Sequence, residues 1–361
     1  MSSIWGNNIK ISIFGESHGP AIGVTMDGVP SGLTVDMDYI NKEMKRRAPG
    51  QSLSTPRKEQ DTTEILSGVL NSHTTGAPIT AIIRNTNIHS QDYSNIQSIP
   101  RPSHADYTGR VRYNGLNDAR GGGHFSGRLT APLVFAGSIL RQALEQRGII
   151  IASHIKSIHT IEDAPINTMS IDKELASSLR DMSLPVINKA MVEPFKDVIE
   201  TAMSSQDSVG GVIEGGIYNL PAGIGEPMFQ SVESQLSSML FSIPGIKGVE
   251  FGTGFNITEL TGSQANDQFL IRDGKAATST NHSGGIQGGI TNGMPVIWRA
   301  AVKPTASIGI PQRSLNLDTM EEAVLEIKGR HDPCIVLRAV PVLEAACAIV
   351  IFDLMLERRG L

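Results

Sequence analysis

Apolar and polar residues alternate near the start of the chain. Ile9, Ile11 and Ile13 are separated by Lys10 and Ser12, the period-two pattern of a half-buried strand. The run Ile22 to Val29 follows as a second β segment. The period then changes: Asp36 is placed to cap a helix through Arg47, which Ala48, Pro49 and Gly50 stop. From Pro49 to Glu59 the chain is Gly, Gln, Ser, Thr, Pro and basic residues, the composition of a mobile loop. Leu133, Ala136, Gly137, Leu140 and Leu144 share one face of a predicted helix over 130–147, a stripe suited to core packing. The most apolar stretch, Val340 to Leu356, is broken by Pro341, Glu344 and Asp353, so a core helix is expected there and not a membrane span.

Two pairs of segments echo each other in the same order. Residues 22–32 (IGVTMDGVPSG) resemble 211–223 (GVIEGGIYNLPAG), and a helix pattern follows each. Residues 75–83 (TGAPITAII) resemble 292–300 (NGMPVIWRA). Such self-similarity suggests an internal duplication, with pseudo-symmetric halves roughly at 1–150 and 200–350. No Pro/Ser-rich linker divides them, so one compact α+β unit over 1–361 is expected.

Composition narrows the class. A chain of 361 residues with 40% hydrophobic and 19% charged content can bury a sizeable core. A net charge of −5 argues against a general nucleic-acid binder. Cys334 and Cys347, the two cysteines, make neither a disulfide framework nor a zinc motif. The N-terminus has no secretory pattern, and a soluble, cytoplasmic protein is expected.

Four histidines lie in turns marked by glycine or proline: His18 in GESHG, His104 in RPSHADY, His124 in GGGHFSGR and His331 in GRHDPC. Each puts a group that titrates near neutrality where backbone can approach a ligand. Arg46, Arg47, Arg57, Arg101, Arg110, Arg112, Arg120, Arg128 and Arg330 fall in or beside loops. Their fork geometry suits carboxylates and phosphates, so acid–base chemistry on an anionic substrate is the expectation. GESHG also fits the G-x-S-x-G nucleophile elbow, but a β segment follows it where the elbow needs a helix. The Arg330–His331 pair is found in histidine phosphatases just after the first strand, whereas here it lies near the C-terminus. Neither a P-loop nor a dinucleotide fingerprint is present. Lys303 to Ser307 offers a lysine and two hydroxyls in one turn, a simple phosphate cradle, and Gly284 to Gly289 reads as a flat-ligand surface or a hairpin.

Taken together, GESHG, DGVPSGL, KRRAPG, SQDYS, RPSHADYT, RGGGHFSGRLTAP, SQDSVGG, PAGIGEP, KGVEFGTGF, NHSGGIQGG, KPTAS and GRHDPC closely resemble the chorismate synthase family. The resemblance implies conversion of 5-enolpyruvylshikimate 3-phosphate to chorismate and phosphate by 1,4-anti elimination, with reduced FMN required and no net redox change. It implies that His18 protonates the departing phosphate, that His104 keeps the flavin in its productive protonation state, and that Asp332 acts with the flavin in removing the ring proton. By the same match Arg46 and Arg47 bind substrate. His124, Phe125, Ser126, Gly288, Lys303, Pro304, Thr305, Ala306, Ser307 and Arg330 contact the flavin. The family fold is a layered β-α-α-β sandwich with internal pseudo-symmetry, usually a homotetramer. Its members differ in whether they reduce their own flavin with NADPH or depend on an external flavin reductase. Two departures stand out. Many members have Arg-Ser-Ser at His124–Ser126, and many bacterial ones have arginine at Leu53, leaving Arg57, Lys58 or no residue to replace it.

Overall fold

The computed structural model describes residues 3–50, 53, 61–85, 98–327 and 331–357. The Pro49–Glu59 loop, with Arg57 and Lys58, therefore lies largely outside the described residues, as do the SQDYS segment and Arg330.

The N-terminal alternation opens a five-stranded antiparallel sheet. Its strands are β1 (Ile4–Trp5), β2 (Lys10–Gly15), β3 (Ala21–Asp27), β4 (Thr63–Ser67) and β5 (Ile79–Arg84), in the order β1-β2-β3-β5-β4. The second antiparallel sheet contains β6 (Ile150–Ile158), β7 (Ile161–Glu162), β8 (Gly211–Tyr218), β9 (Ile246–Phe251) and β10 (Val296–Val302), in the order β9-β10-β8-β6-β7. The helices are α1 (Met37–Arg47), α2 (Asp106–Arg112), α3 (Thr130–Gln146), α4 (Lys173–Asp181), α5 (Val192–Ser204), α6 (Val232–Ser242), the single turn α7 (Gly262–Ala265) and α8 (Val336–Glu357). The mixed content is the expected α+β class.

One path recurs in both sheets. Apart from the intervening α2, β7, α4, α5 and α7, the chain runs β2, β3, α1, β4, β5, α3 and later β6, β8, α6, β9, β10, α8. The corresponding sheet orders, β2-β3-β5-β4 and β6-β8-β10-β9, are the same. The echoed sequence segments fall on β3 and β8, and on β5 and β10.

Helix α1 forms where the sequence signals it. The Asp36 side chain accepts from the Asp38 and Tyr39 amides at 2.9 and 3.2 Å, and Lys45, Arg46 and Arg47 complement the dipole at the far end. Helix α3 matches its predicted span but is buried all round from Ala131 to Leu144, not along one stripe. It packs against the first sheet, α1 and α8 together, so no face is left for solvent. Two of its buried polar residues bond locally: Ser138 donates to the Val134 carbonyl at 2.7 Å, and Gln142 accepts from the Asp36 amide at 2.8 Å. Gly137 lets α3 approach α8, since a Cβ there would lie 2.5 Å from the Cβ of Ala345.

Helix α8 is long and apolar enough to cross a membrane by length and composition, yet it is buried in the protein almost throughout. Its two buried carboxylates, Asp353 and Glu344, are engaged. Asp353 accepts from the amides of Asn7, Asn8 and Ile9 at 3.1, 2.8 and 2.6 Å, anchoring the entry to β2. Glu344 joins a buried ion cluster with Arg46 and Glu43 of α1, Arg141 of α3 and Arg180 of α4. Burial alone would raise the Glu344 pKa, but Arg46 and Arg141 outweigh it and hold the carboxyl low.

Strand alternation points Ser153 toward α8, where it donates to Glu344 at 2.8 Å, and His154 toward the other face. That second face is covered too. The segment after β7 lies over it, and His154, fully buried, sits 3.2 Å from Asp163 and 3.0 Å from Glu214. Burial lowers the His154 pKa, but the two carboxylates more than reverse this and raise it.

Candidate active site

Strand β2 ends at Gly15, and the chain turns through Glu16–Pro20 into β3. His18 therefore sits on a tight hairpin loop, with no helix following the GESHG motif as the elbow reading would need. The loop is held from outside by Asn85, just beyond β5, whose amide donates to the carbonyls of Glu16 and Gly19 at 3.1 and 2.7 Å.

A run of three glycines meets this loop. Gly121, Gly122 and Gly123 have φ of 59°, 89° and 53°, a left-handed path that side chains disfavour. The lack of side chains is used on both sides. A Cβ on Gly121 would fall 2.0 Å from Cε1 of His18, and one on Gly122 would fall 3.3 Å from Cε1 of His104. The run thus lies between the two imidazoles and touches both. The Ser17 amide donates to the Gly123 carbonyl at 3.2 Å, and the Ser17 hydroxyl lies 3.1 Å from Nδ1 of His18.

His104 precedes α2 and is fixed by two neighbours. Its Nδ1 is 2.6 Å from Oδ1 of Asp106 and 3.0 Å from a guanidinium nitrogen of Arg101. Arg101 grips the same carboxylate through Nε at 2.7 Å and its terminal nitrogen at 2.8 Å, and donates to Ser307 at 3.0 Å. Burial would raise the Asp106 pKa, but hydrogen bonds from Arg101 and His104 outweigh it and hold the carboxyl well below the usual range.

Ser307 belongs to the Lys303–Ser307 turn. Lys303 donates to the Ser103 carbonyl, and Thr305 donates to the Asp332 carbonyl at 3.0 Å. Burial, with help from Lys247, lowers the Lys303 pKa. The Asp332 carboxylate is paired with Arg338 of α8, whose Nε donates to the Arg47 carbonyl at 3.0 Å. Arg47 in turn donates to the Arg128 carbonyl at 3.2 Å and lies 3.3 Å from Asp61. Arg128 binds Asp61 at 2.9 Å and donates to Asn85 at 2.7 Å, which returns to the His18 loop.

The contacts form a closed ring through His18, the glycine run, His104, the 303–307 turn, Asp332, Arg47 and Asn85. Along it Arg47, Arg101, Arg128, Lys303 and Arg338 outnumber Asp61, Asp106 and Asp332, so its character is cationic. Such a ring can present proton donors to an anion held by guanidinium groups.

Other expected site residues stand around or apart from it. His124 exposes its ring while Nδ1 donates to the Gly15 carbonyl at 2.8 Å. Phe125 packs on Tyr113, with ring centroids 6.2 Å apart, and Ser126 caps the turn into α3. Pro304 is exposed and Ala306 half-buried in the 303–307 turn. Gly288 is at the tip of a hairpin, Ile286–Gln287 against Ile290–Thr291, whose neighbour Gly289 bonds to the start of α6. The contacts described for Arg46 are to Glu43 and Glu344, in the ion cluster and not in the ring. Leu53 packs partly against the main core. The site also recruits Asp61, Asn85, Asp106 and Arg338, which sequence reasoning did not single out. Only Asp106 carried a local signal, two residues after His104 in RPSHAD.

Known proteins with similar sequence and structure agree with one another. The profile of the chorismate synthase family matches residues 9–356. Chorismate synthase of Thermococcus kodakarensis is 44% identical over 355 residues, covering 98% of each chain. That of Dehalococcoides mccartyi is 46% identical over 360 residues, covering 99% of this chain and 97% of its own. A crystal structure of chorismate synthase superposes with a TM-score of 0.77 at 30% identity, over 99% of this chain and 94% of that one. Matched in sequence and in fold along nearly its whole length, the chain belongs to the chorismate synthase family.

Proposed function

We propose that the chain is an FMN-dependent lyase converting 5-enolpyruvylshikimate 3-phosphate to chorismate and phosphate, the last common step toward the aromatic amino acids. The observation that carries this reading is the glycine run touching both His18 and His104, which makes one site of two separate motifs.

The residues suit a flavin phosphate and a phosphorylated substrate. Cations dominate the ring, and the 303–307 turn adds hydroxyls beside a lysine that an anion would help keep charged. At Gly288 a Cβ would meet nothing within 4 Å, which leaves room for a flat ring to approach. His124, Phe125, Ser126, Gly288, Lys303, Pro304, Thr305, Ala306, Ser307 and Arg330 are the residues proposed to hold FMN. When bound, reduced FMN supplies transient electron density as phosphate leaves and recovers it afterwards.

His18 donates a proton to the departing phosphate, whose growing charge Arg47 meets from the end of α1. Arg46, through Glu43 and Glu344, anchors that helix end. His104 holds a proton on the cofactor side, and Asp332 serves as the acceptor side of ring-proton removal. The ring of hydrogen bonds keeps these groups in register before substrate arrives.

The same reading takes the matching strand orders as an internal duplication, the two sheets enclosing two helical layers in a pseudo-symmetric β-α-α-β sandwich. The topological boundary falls near Gly148. A cytoplasmic homotetramer is proposed, consistent with large apolar side chains left at the surface, among them Phe229, Phe255 and Ile271.

The test is an anaerobic assay with chemically reduced FMN. Phosphate release that is largely lost in His18→Ala and His104→Ala supports the assignment, whereas binding without turnover, or full activity in either variant, refutes it. A second run with FMN plus NADPH decides whether an external flavin reductase is required.

A further inference from the structure

We propose that Asp106 is a positioning residue that fixes the His104 imidazole with its proton on Nδ1, leaving Nε2 as the working nitrogen on the side of the glycine run. The proposal rests on the reading of His104 as a functional histidine and adds the group that sets its tautomer.

The argument begins with how the four donors around Asp106 are shared. Oδ2 takes the Arg101 amide at 3.0 Å and Nε at 2.7 Å. Oδ1 takes the Arg101 terminal nitrogen at 2.8 Å and faces Nδ1 of His104 at 2.6 Å. A carboxylate offers lone pairs and no proton, so an unprotonated Nδ1 at that distance would set two lone pairs against each other. A proton on Nδ1 removes the conflict and makes a charge-assisted bond. The Arg101 terminal nitrogen, 3.0 Å from the same ring nitrogen, can only donate and by itself would favour an unprotonated Nδ1. It already donates to Oδ1 at 2.8 Å, however, and the carboxylate at 2.6 Å is the closer and charged partner that draws the proton to Nδ1. With Nδ1 committed, the remaining ring nitrogen lies toward Gly122, where a Cβ would come 3.5 Å from Nε2.

Arg101 is the second part of the device. Its side chain is 6% exposed and its bonds run to Asp106 and Ser307, so the carboxylate cannot rotate without breaking several charged contacts. Asp106 opens α2, and its side chain is itself 7% exposed. The orientation of His104 is thus determined by a buried ion pair and not by the exposed part of its own ring.

Asp106→Asn keeps the shape and discriminates sharply. An amide has one oxygen for a site with four donors. Turning that oxygen to the Arg101 amide and Nε keeps two of the three Arg101 bonds and aims the NH2 at His104. The ring must then accept at Nδ1 and carry its proton on Nε2, the inverted tautomer.

The experiment is long-range 1H–15N NMR of the full-length protein with 15N-labelled histidine, recorded with the imidazoles neutral, and with His104→Gln used for assignment. The wild type is expected to show His104 as the Nδ1–H tautomer and Asp106→Asn as Nε2–H. Turnover with reduced FMN is expected to fall about 10²-fold in kcat in Asp106→Asn, with KM little changed. Wild-type His104 carrying its proton on Nε2 overturns the proposal without any variant. So does an Asp106→Asn protein in which the tautomer stays put. An inverted tautomer with undiminished turnover leaves Asp106 as the positioning residue and overturns the functional role given to His104.

Discussion

Gly121 lies so close to His18 that the smallest side chain on it would come 2.0 Å from the imidazole, with Gly121 itself at a φ of 59°. Gly121→Ala therefore adds backbone strain of about 1–2 kcal/mol and displaces the ring. Displacement on the scale of an ångström is expected to lower kcat roughly 10²-fold while circular dichroism stays unchanged. Steady-state kinetics with reduced FMN checks this, and wild-type kcat would show that the close approach does not matter.

Arg46 and Arg47 are adjacent in sequence and differ in what they touch. Arg46→Lys cannot reproduce the shared contact to Glu43 and Glu344, so it is expected to lower the urea midpoint while leaving KM unchanged. Arg47→Lys is expected to raise KM for the phosphorylated substrate roughly tenfold, the worth of one charge-assisted hydrogen bond. Equal effects of the two changes on KM would contradict the division.

Glu344 balances Arg46 and Arg141 inside the helical layer. Glu344→Gln leaves those guanidinium groups short of a counter-charge and is expected to cost about 3–5 kcal/mol in equilibrium unfolding. A loss under 1 kcal/mol, of the order of a surface ion pair, would mean that water reaches the cluster.

His154 between Asp163 and Glu214 makes stability depend on pH. Its folded pKa is raised above the unfolded value of about 6.5, so the native state binds the proton more tightly than the unfolded chain. The stabilisation is fully present below pH ~6.5 and is lost as pH rises through the folded value. Urea midpoints measured across neutral to alkaline pH are expected to decline more steeply in the wild type than in His154→Gln. Parallel profiles would rule out a charged His154.

Local patterns announced much of this architecture. The Asp36 cap, the span of α3 and the apolar run in α8 were legible because each depends on residues within one or two turns of each other. The echoed segments fell on matching strands for the same reason. The cover over the outer face of the second sheet was not legible, since what buries His154 is an irregular segment after β7 with no periodic pattern to announce it. The catalytic candidates were visible as motifs, but their supports were not. Asn85, Asp61 and Arg338 matter only through partners far along the chain, and no spacing betrays them. The basic pair Arg46 and Arg47 at the end of α1 was legible as charge, but nothing local told that both side chains turn inward, Arg46 to Glu43 and Glu344 and Arg47 to Asp61 and the Arg128 carbonyl.

The ring of polar contacts draws on residues from Glu16 to Arg338. A nascent chain emerging from the ribosome therefore holds no finished pocket until nearly all of it has been translated. Capture of any ligand in that ring belongs to the end of maturation, and the early strands must find their pairing without a bound molecule to guide them.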